Sequence, residues 1–156
     1  MGTTVVIAAT ERELRALAAT PPSKPPEFAP AHRVGDLVYT SGQLPIDDEG
    51  LAATGLLGQD VTVERGGHLA RLCTANALAA IAAVVDLSRI ERVVKLTGFV
   101  ASAPGFHEQS EVMNGASSLL NEVLGSAGAH TRSAIGVAAL PRNAPVEVEL
   151  VVSARS

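Results

Sequence analysis

The sequence predicts an α+β domain: one mostly antiparallel sheet backed by two helices, with a short extra helix at the N-terminus. Three observations carry that prediction. The pair Gly35-Asp36 separates two β-prone runs, the mark of a two-residue hairpin. Two long stretches, Val63 to Val85 and Phe106 to Leu124, lack proline and repeat apolar residues at helical spacing. Three β-rich runs at 93–100, 133–140 and 146–152 complete the set, so helices can segregate to one face of a sheet. At 156 residues, one domain is the natural size.

In chain order, Thr10-Glu11-Arg12-Glu13 matches a capping box, with Thr10 as N-cap and Glu13 three residues on. Leu14, Leu17 and Ala18 then share a face, giving a helix over 11–19. Pro21-Pro22 end it and Pro25-Pro26 keep the following stretch extended. Residues 1–27 thus read as a helix and proline-rich linker, and 28–156 as the domain proper. The hairpin joins 32–34 to 37–40. Asp47-Asp48-Glu49-Gly50, Gly55 and Gly58 make 46–60 a loop. Along the longest helix Leu69, Leu72, Cys73, Asn76, Ala80 and Ala83 recur on one stripe. Ser88-Arg89-Ile90-Glu91 is a second capping-box match, read as a single turn with Ser88 as its cap. In the second helix Val112, Ala116, Leu119, Leu120 and Val123 face inward, and Gly125 and Gly128 are the terminators. Pro141-Arg142-Asn143-Ala144-Pro145 joins the last two strands.

Composition excludes several function classes. Apolar residues make up 47% and charged residues 18%, which excludes wholesale disorder. Aromatics are 3% and Trp is absent, so a base-stacking platform has no material. The net charge of −4 argues against a nucleic-acid partner. The single cysteine, Cys73, forms no internal disulfide and fits a reducing cytoplasm; its place in the apolar stripe marks it as packing rather than a nucleophile. No run approaches the roughly 18 apolar residues of a membrane span, and the N-terminus lacks the basic region of a signal peptide. A cytoplasmic protein that meets no membrane is therefore expected. His32, His68, His107 and His130 are scattered, so no metal site is expected. Gly66-Gly67 alone does not make a phosphate loop.

A few residues have the chemistry of a site. On a regular strand Arg132, Ala134, Gly136 and Ala138 share one face, with Ser133, Ile135, Val137 and Ala139 on the other. An arginine beside small residues is either a fork for a small carboxylate or an exposed strand-end residue. Glu147 and Glu149 alternate with Val146, Val148 and Leu150. They are either a carboxylate pair in which like charge raises one pKa, suited to proton transfer, or the solvated face of an edge strand. Ser41-Gly42 ends the second hairpin strand, where glycine permits close approach of a ligand, or a bulge. Asn114 lies on a helix among apolar neighbours and can bond a ligand or a carbonyl.

Five strings, taken in order, resemble the YjgF/YER057c/RidA family of imine and enamine deaminases, many of which carry the label endoribonuclease L-PSP. They are Tyr39-Thr40-Ser41-Gly42-Gln43-Leu44-Pro45, Val94-Lys95-Leu96-Thr97-Gly98-Phe99-Val100, Asn114-Gly115-Ala116-Ser117, Arg132-Ser133-Ala134 and Pro145-Val146-Glu147-Val148-Glu149. The resemblance runs from about Phe28 to Ala154, within a subgroup distinct from the founding deaminases. It implies a chorismate-mutase-like fold, assembled as a homotrimer with clefts between subunits. It implies hydrolysis of 2-imino acids to 2-keto acids and ammonia, with no cofactor. Arg132 then binds the substrate carboxylate, Glu147 positions the water, Ser41 and Gly42 contact the substrate, and Asn114 lies near the cleft. The family's cysteine two residues after the arginine is Ala134 here, its role falling to the backbone carbonyl. The family's tyrosine is Phe28, which lacks the hydroxyl. Gly136 replaces a larger residue, which enlarges the expected cleft.

A hairpin of the last two strands about Arg142-Asn143 would set Glu147 opposite Ala138 and leave Arg132 roughly 20 Å away. On that assumed register the cleft combines Arg132 of one subunit with Glu147 of another. The competing function is an arginine-anchored binding module for small carboxylates without turnover. RNA cleavage is a third reading, opposed by the acidic charge and the scarcity of aromatics.

Overall fold

The computed structural model describes residues 27–156. The helix expected over 11–19 lies outside the described residues. The elements are β1 (Ala31–Val34), β2 (Leu37–Thr40), β3 (Ile46–Asp47), β4 (Gly50–Leu51), α1 (Val63–Ala82), β5 (Ile90–Ala101), α2 (Gln109–Leu124), β6 (Thr131–Val137) and β7 (Val146–Ala154). The main sheet has the order β1-β2-β7-β5-β6. All neighbours are antiparallel except β5 and β6, which are parallel. This is the expected α+β layout of one mostly antiparallel sheet and two helices.

Local chemistry sets most boundaries. Gly35, at φ 60, is the first residue of the two-residue turn between β1 and β2, where a left-handed conformation matches the strand twist. Thr62 caps α1 by accepting the N–H of Arg65. Gly125, also at positive φ, stops α2. Three expectations change in detail. The loop after Pro45 contains the small β3–β4 hairpin, whose turn is tightened by the Glu49 N–H on Asp47 Oδ1 at 2.9 Å. The turn Leu87–Arg89 is capped by Asp86, whose carboxylate takes the Ser88 N–H at 2.8 Å, so Ser88 is not the cap. The second helix starts at Gln109 rather than Phe106.

One assumption fails outright. The last two strands are not a hairpin: β5 lies between β6 and β7. Strand β5, helix α2 and strand β6 form a crossover unit, which is how parallel strands are joined. Strand β7 is then central, paired on both sides.

Helix α1 packs over β7 and β2, and α2 over β5 and β6. Val38, Val93, Leu96, Val100, Val148 and Leu150 from the sheet meet Leu69, Cys73, Leu78, Ile81, Met113 and Leu120 from the helices, all essentially without exposure. Each such side chain contributes about 1.5–3 kcal/mol on burial. The expected inward residues of α2, Val112, Ala116, Leu119, Leu120 and Val123, are all buried. The helices touch backbone to backbone. A Cβ on Gly115 would overlap the Gly67 carbonyl oxygen and lie 2.7 Å from its carbonyl carbon.

Among the described residues no helix covers the opposite face of the sheet. Register pairs share a face, so Leu37, Tyr39, Lys95, Thr97, Phe99, Ser133, Ile135, Glu147, Glu149 and Val151 all lie on it. Val34, Tyr39 and Ile135 on this face are 60%, 45% and 41% exposed.

Candidate functional site

Arg132 pairs with Leu96, whose side chain faces the helices, so Arg132, Ala134 and Gly136 lie on the helix side of edge strand β6. The guanidinium meets a polar ridge on α2. Nη1 donates to Asn114 Oδ1 at 3.0 Å and to Ser117 Oγ at 3.1 Å, and Nη2 donates to Ser110 Oγ at 2.8 Å. Three of the five guanidinium N–H groups are thereby engaged. The Nε–H and one Nη2–H have no partner among the described residues. A planar fork held on one side with donors left on the other suits a carboxylate.

Beyond Arg132 the strand is covered. A Cβ on Gly136 would lie 2.8 Å from Gln109 Nε2 and 3.3 Å from Ser102 Oγ. The Gln109 amide donates to Ser102 Oγ and to the Phe106 carbonyl. The small residue therefore does not enlarge a cleft, as its sequence context suggests; the carboxamide of Gln109 fills the space. Ala138 falls beyond the end of β6.

Glu147 occupies the other face. It pairs with Phe99, half-buried, and rests directly on Gly42. A Cβ at Gly42 would overlap the carboxylate, 2.7 Å from its Cδ and 3.1 Å from its Cγ. The contact is made by a bulge after β2. Tyr39 pairs with Val151, but Gln43 rather than Gly42 pairs with Val148, so the loop carries one extra residue. The Thr40 hydroxyl takes the Leu150 N–H at 2.9 Å across the irregularity. Burial, and then the neighbouring Glu149, push the Glu147 carboxyl above its ordinary 4.5. The pair is therefore not the solvated face of an edge strand. Beneath it Cys73 is fully buried, and burial together with the Glu147 charge pushes its thiol well up, which leaves it unreactive.

Ser41 spends its hydroxyl on the Ala29 carbonyl at 2.7 Å and its N–H on the Pro30 carbonyl at 2.8 Å. This fastens the segment after Phe28, itself 64% exposed, to the glycine loop.

The expected residues thus form two groups. Ser41, Gly42 and Glu147, with the Phe28 segment tied to Ser41, make one. Arg132, Ala134 and Asn114 make the other. Glu147 and Arg132 lie two strands apart, about 10 Å across the sheet, and three residues apart along β5, about 10 Å more. Their side chains point to opposite faces. They do not meet within the chain, although the hairpin register on which their separation was expected does not exist. Sequence reasoning gave no role to Ser110 or Gln109, named Ser117 only within a family string and named His130 only among the scattered histidines. The spacing of Ser110, Asn114 and Ser117, four and three residues apart, was the available signal: a polar ridge beside the apolar stripe of one helix.

Comparison with known proteins shows the family and the fold. The family model described as Endoribonuclease L-PSP matches residues 19–154. Protein TCP17 of Trypanosoma cruzi is 48% identical over 120 residues, 76% of this chain and 75% of its own length. The crystal structure of Atu1372 from Agrobacterium tumefaciens is 46% identical with a TM-score of 0.84, covering 94% of this chain and 93% of that one. The YjgF gene product of Escherichia coli superimposes with a TM-score of 0.59 at 26% identity, over 88% of this chain and 97% of its own. The chain belongs to the L-PSP family, the YjgF/RidA proteins, and has their fold. Membership supports a small-molecule function of the YjgF/RidA type. Among the described residues no helix is long and apolar enough to cross a membrane.

Proposed function

We infer that the protein hydrolyses small 2-imino acids, and the enamines that tautomerise to them, to 2-keto acids and ammonia, in clefts between the subunits of a homotrimer. The observation that carries this reading is the division of the site. A carboxylate anchor lies on the helix side of an edge strand, and a half-buried carboxylate sits against a glycine loop on the other face. Neither group is a complete site. Two copies that bring edge strand β6 of one to the Gly42 loop of the next complete it. The apolar, partly exposed helix-free face, with Val34, Tyr39 and Ile135, supports such an assembly.

In this cleft the two free N–H groups of Arg132 hold the substrate carboxylate, and Asn114 lies beside them. The Glu147 carboxylate accepts a hydrogen bond from water and aims its oxygen at the imine carbon. Water adds to the carbon of the protonated imine as Glu147 takes its proton, which gives a neutral carbinolamine. Glu147 returns that proton to nitrogen, the C–N bond breaks as the hydroxyl oxygen forms the carbonyl, and the hydroxyl proton leaves with ammonia as ammonium. A raised pKa suits both steps, since the group must take up a proton and give it back near neutrality. The imine carbon is already electrophilic, so the reaction asks for positioning and proton transfer alone. Ser41, Gly42, Phe28 and the Ala134 carbonyl line the cleft.

The test generates imines from amino acids with an amino-acid oxidase and traps the remainder with semicarbazide. The protein speeds loss of imine, and Arg132→Ala and Glu147→Gln each abolish the effect. Mixed trimers of these two variants recover about a quarter of wild-type activity, because a quarter of the clefts pair an intact Arg132 with an intact Glu147. No recovery on mixing refutes the shared cleft. Binding of pyruvate without turnover would leave only a carboxylate-binding module, and salt-sensitive RNA binding would favour RNA as the ligand.

A further inference from the structure

Two serines of α2 accept hydrogen bonds from Arg132, but their own hydrogens have different fates. Ser117 Oγ lies 2.9 Å from His130 Nε2, and His130 Nδ1 lies 2.6 Å from the Gly128 carbonyl oxygen. A carbonyl only accepts, so Nδ1 carries the imidazole hydrogen. In the neutral ring Nε2 is then an acceptor, and the Ser117 hydroxyl is the donor that meets it. Its hydrogen is drawn toward His130, and its lone pairs are left for Arg132 Nη1. The chain of donation runs one way, from Arg132 to Ser117, to His130, to Gly128. Bonds ordered in one direction strengthen each other. The last acceptor is firmly seated: Gly128 is buried, and a Cβ there would lie 2.7 Å from the Leu120 carbonyl carbon and 3.0 Å from Asn121 Cα. Ser110 accepts from Nη2 at 2.8 Å but has no such relay behind it among the described residues.

We propose that Ser117 and His130 are positioning residues, which hold Arg132 with its Nε–H and remaining Nη2–H presented to a carboxylate. The assignment rests on Arg132 being the substrate anchor of the function inferred above. Neither residue touches substrate. They restrict the guanidinium to one plane, so their loss lowers affinity and spares the chemical step.

Nitrogen-15 spectra of the whole protein and kinetics of the alanine-derived imine test this together. The spectra show His130 protonated on Nδ1 and bare on Nε2, and resolved Arg132 Nη signals that merge in His130→Phe. His130→Phe and Ser117→Ala each raise KM by about tenfold, the scale of one hydrogen bond to a charged group, with kcat within about twofold. Together they do no more than the worse of the two, whereas Ser110→Ala and His130→Phe multiply. His130→Gln, whose amide oxygen can accept from Ser117, restores part of the loss. A hydrogen on Nε2, an unchanged KM in His130→Phe, or independent effects of Ser117→Ala and His130→Phe overturn the proposal. Should the wild type neither turn over imine nor bind pyruvate, the anchor reading fails on its own. The relay is still decided by the spectra: merging of the Arg132 signals in His130→Phe supports it, and identical spectra overturn it.

Discussion

Replacing Gly42 by alanine separates stability from chemistry. Gly42 does not have a positive φ, so alanine fits its backbone. Stiffening the unfolded chain contributes about 0.4–1 kcal/mol of stability. Against this, the new methyl falls on the Glu147 carboxylate, 2.7 Å from Cδ where ordinary contact begins near 3.4 Å. The carboxyl carbon must retreat by roughly 0.7 Å and the oxygen farther. The obstacle is the end of a flexible side chain, so a rotamer change of about 0.5–1.5 kcal/mol relieves it. The two stability effects nearly cancel, and the melting temperature stays within a few degrees of wild type. The inferred hydrolysis has no such escape. A displacement of about 1 Å in a water-positioning group costs on the order of 10²-fold in rate, or about 2.7 kcal/mol of barrier. The assay is imine trapping beside differential scanning calorimetry on one preparation. A variant that hydrolyses imine within about threefold of wild type would show that the Glu147 position is not what the reaction requires.

Three other expectations follow from the same geometry. Glu147→Gln should gain stability relative to wild type as pH rises from 4 to 7. The folded chain holds the Glu147 proton above the ordinary 4.5, so the stability tied to the protonated form is full below that value and is lost as pH climbs through the raised one; a flat or falling difference in melting temperature contradicts this. Gly115→Ala should destabilise. The helix gains about 1 kcal/mol in propensity, but the methyl meets the Gly67 backbone, and overpacking that no rotamer can relieve costs about 1–3 kcal/mol, so a rise in melting temperature would refute the close helix crossing. If the proposed trimer forms through the helix-free face, Ile135→Glu, which sets a charge there, should convert it to monomers in sedimentation velocity with an unchanged far-ultraviolet spectrum; trimers that persist would move the interface elsewhere.

Elements governed by neighbours in sequence were legible. The β1–β2 turn needs only Gly35-Asp36, and the apolar stripe of α2 needs only its own period. The relation of β6 to β7 was not, because pairing is decided by what lies between them in space. The short proline-bounded linker suggested a hairpin. The order of β5, α2 and β6 was the stronger signal, since a strand, a helix and a strand close as a parallel pair. Arg142 and Asn143, both at φ near 60, sit in a connection that leaves β6 and enters β7 on the far side of β5, not in a two-strand turn.

The site was legible to the same depth. Alternation along each strand gave the company of Glu147, and that of Arg132 as far as Gly136, while Ala138 falls beyond the strand. Alternation cannot say whether two strands show their functional residues to the same side, because that depends on sheet order and register. The ridge of Ser110, Asn114 and Ser117 shows the same limit. On a helix it is indistinguishable from a solvated flank until Arg132 is found against it. Here the missing information changes the mechanism. With Arg132 and Glu147 on opposite faces, neither the chain alone nor any bend of its sheet assembles the inferred reaction. The proposed function therefore requires a contact between copies, and the residues that would build that interface belong to its catalytic argument as fully as Arg132 and Glu147.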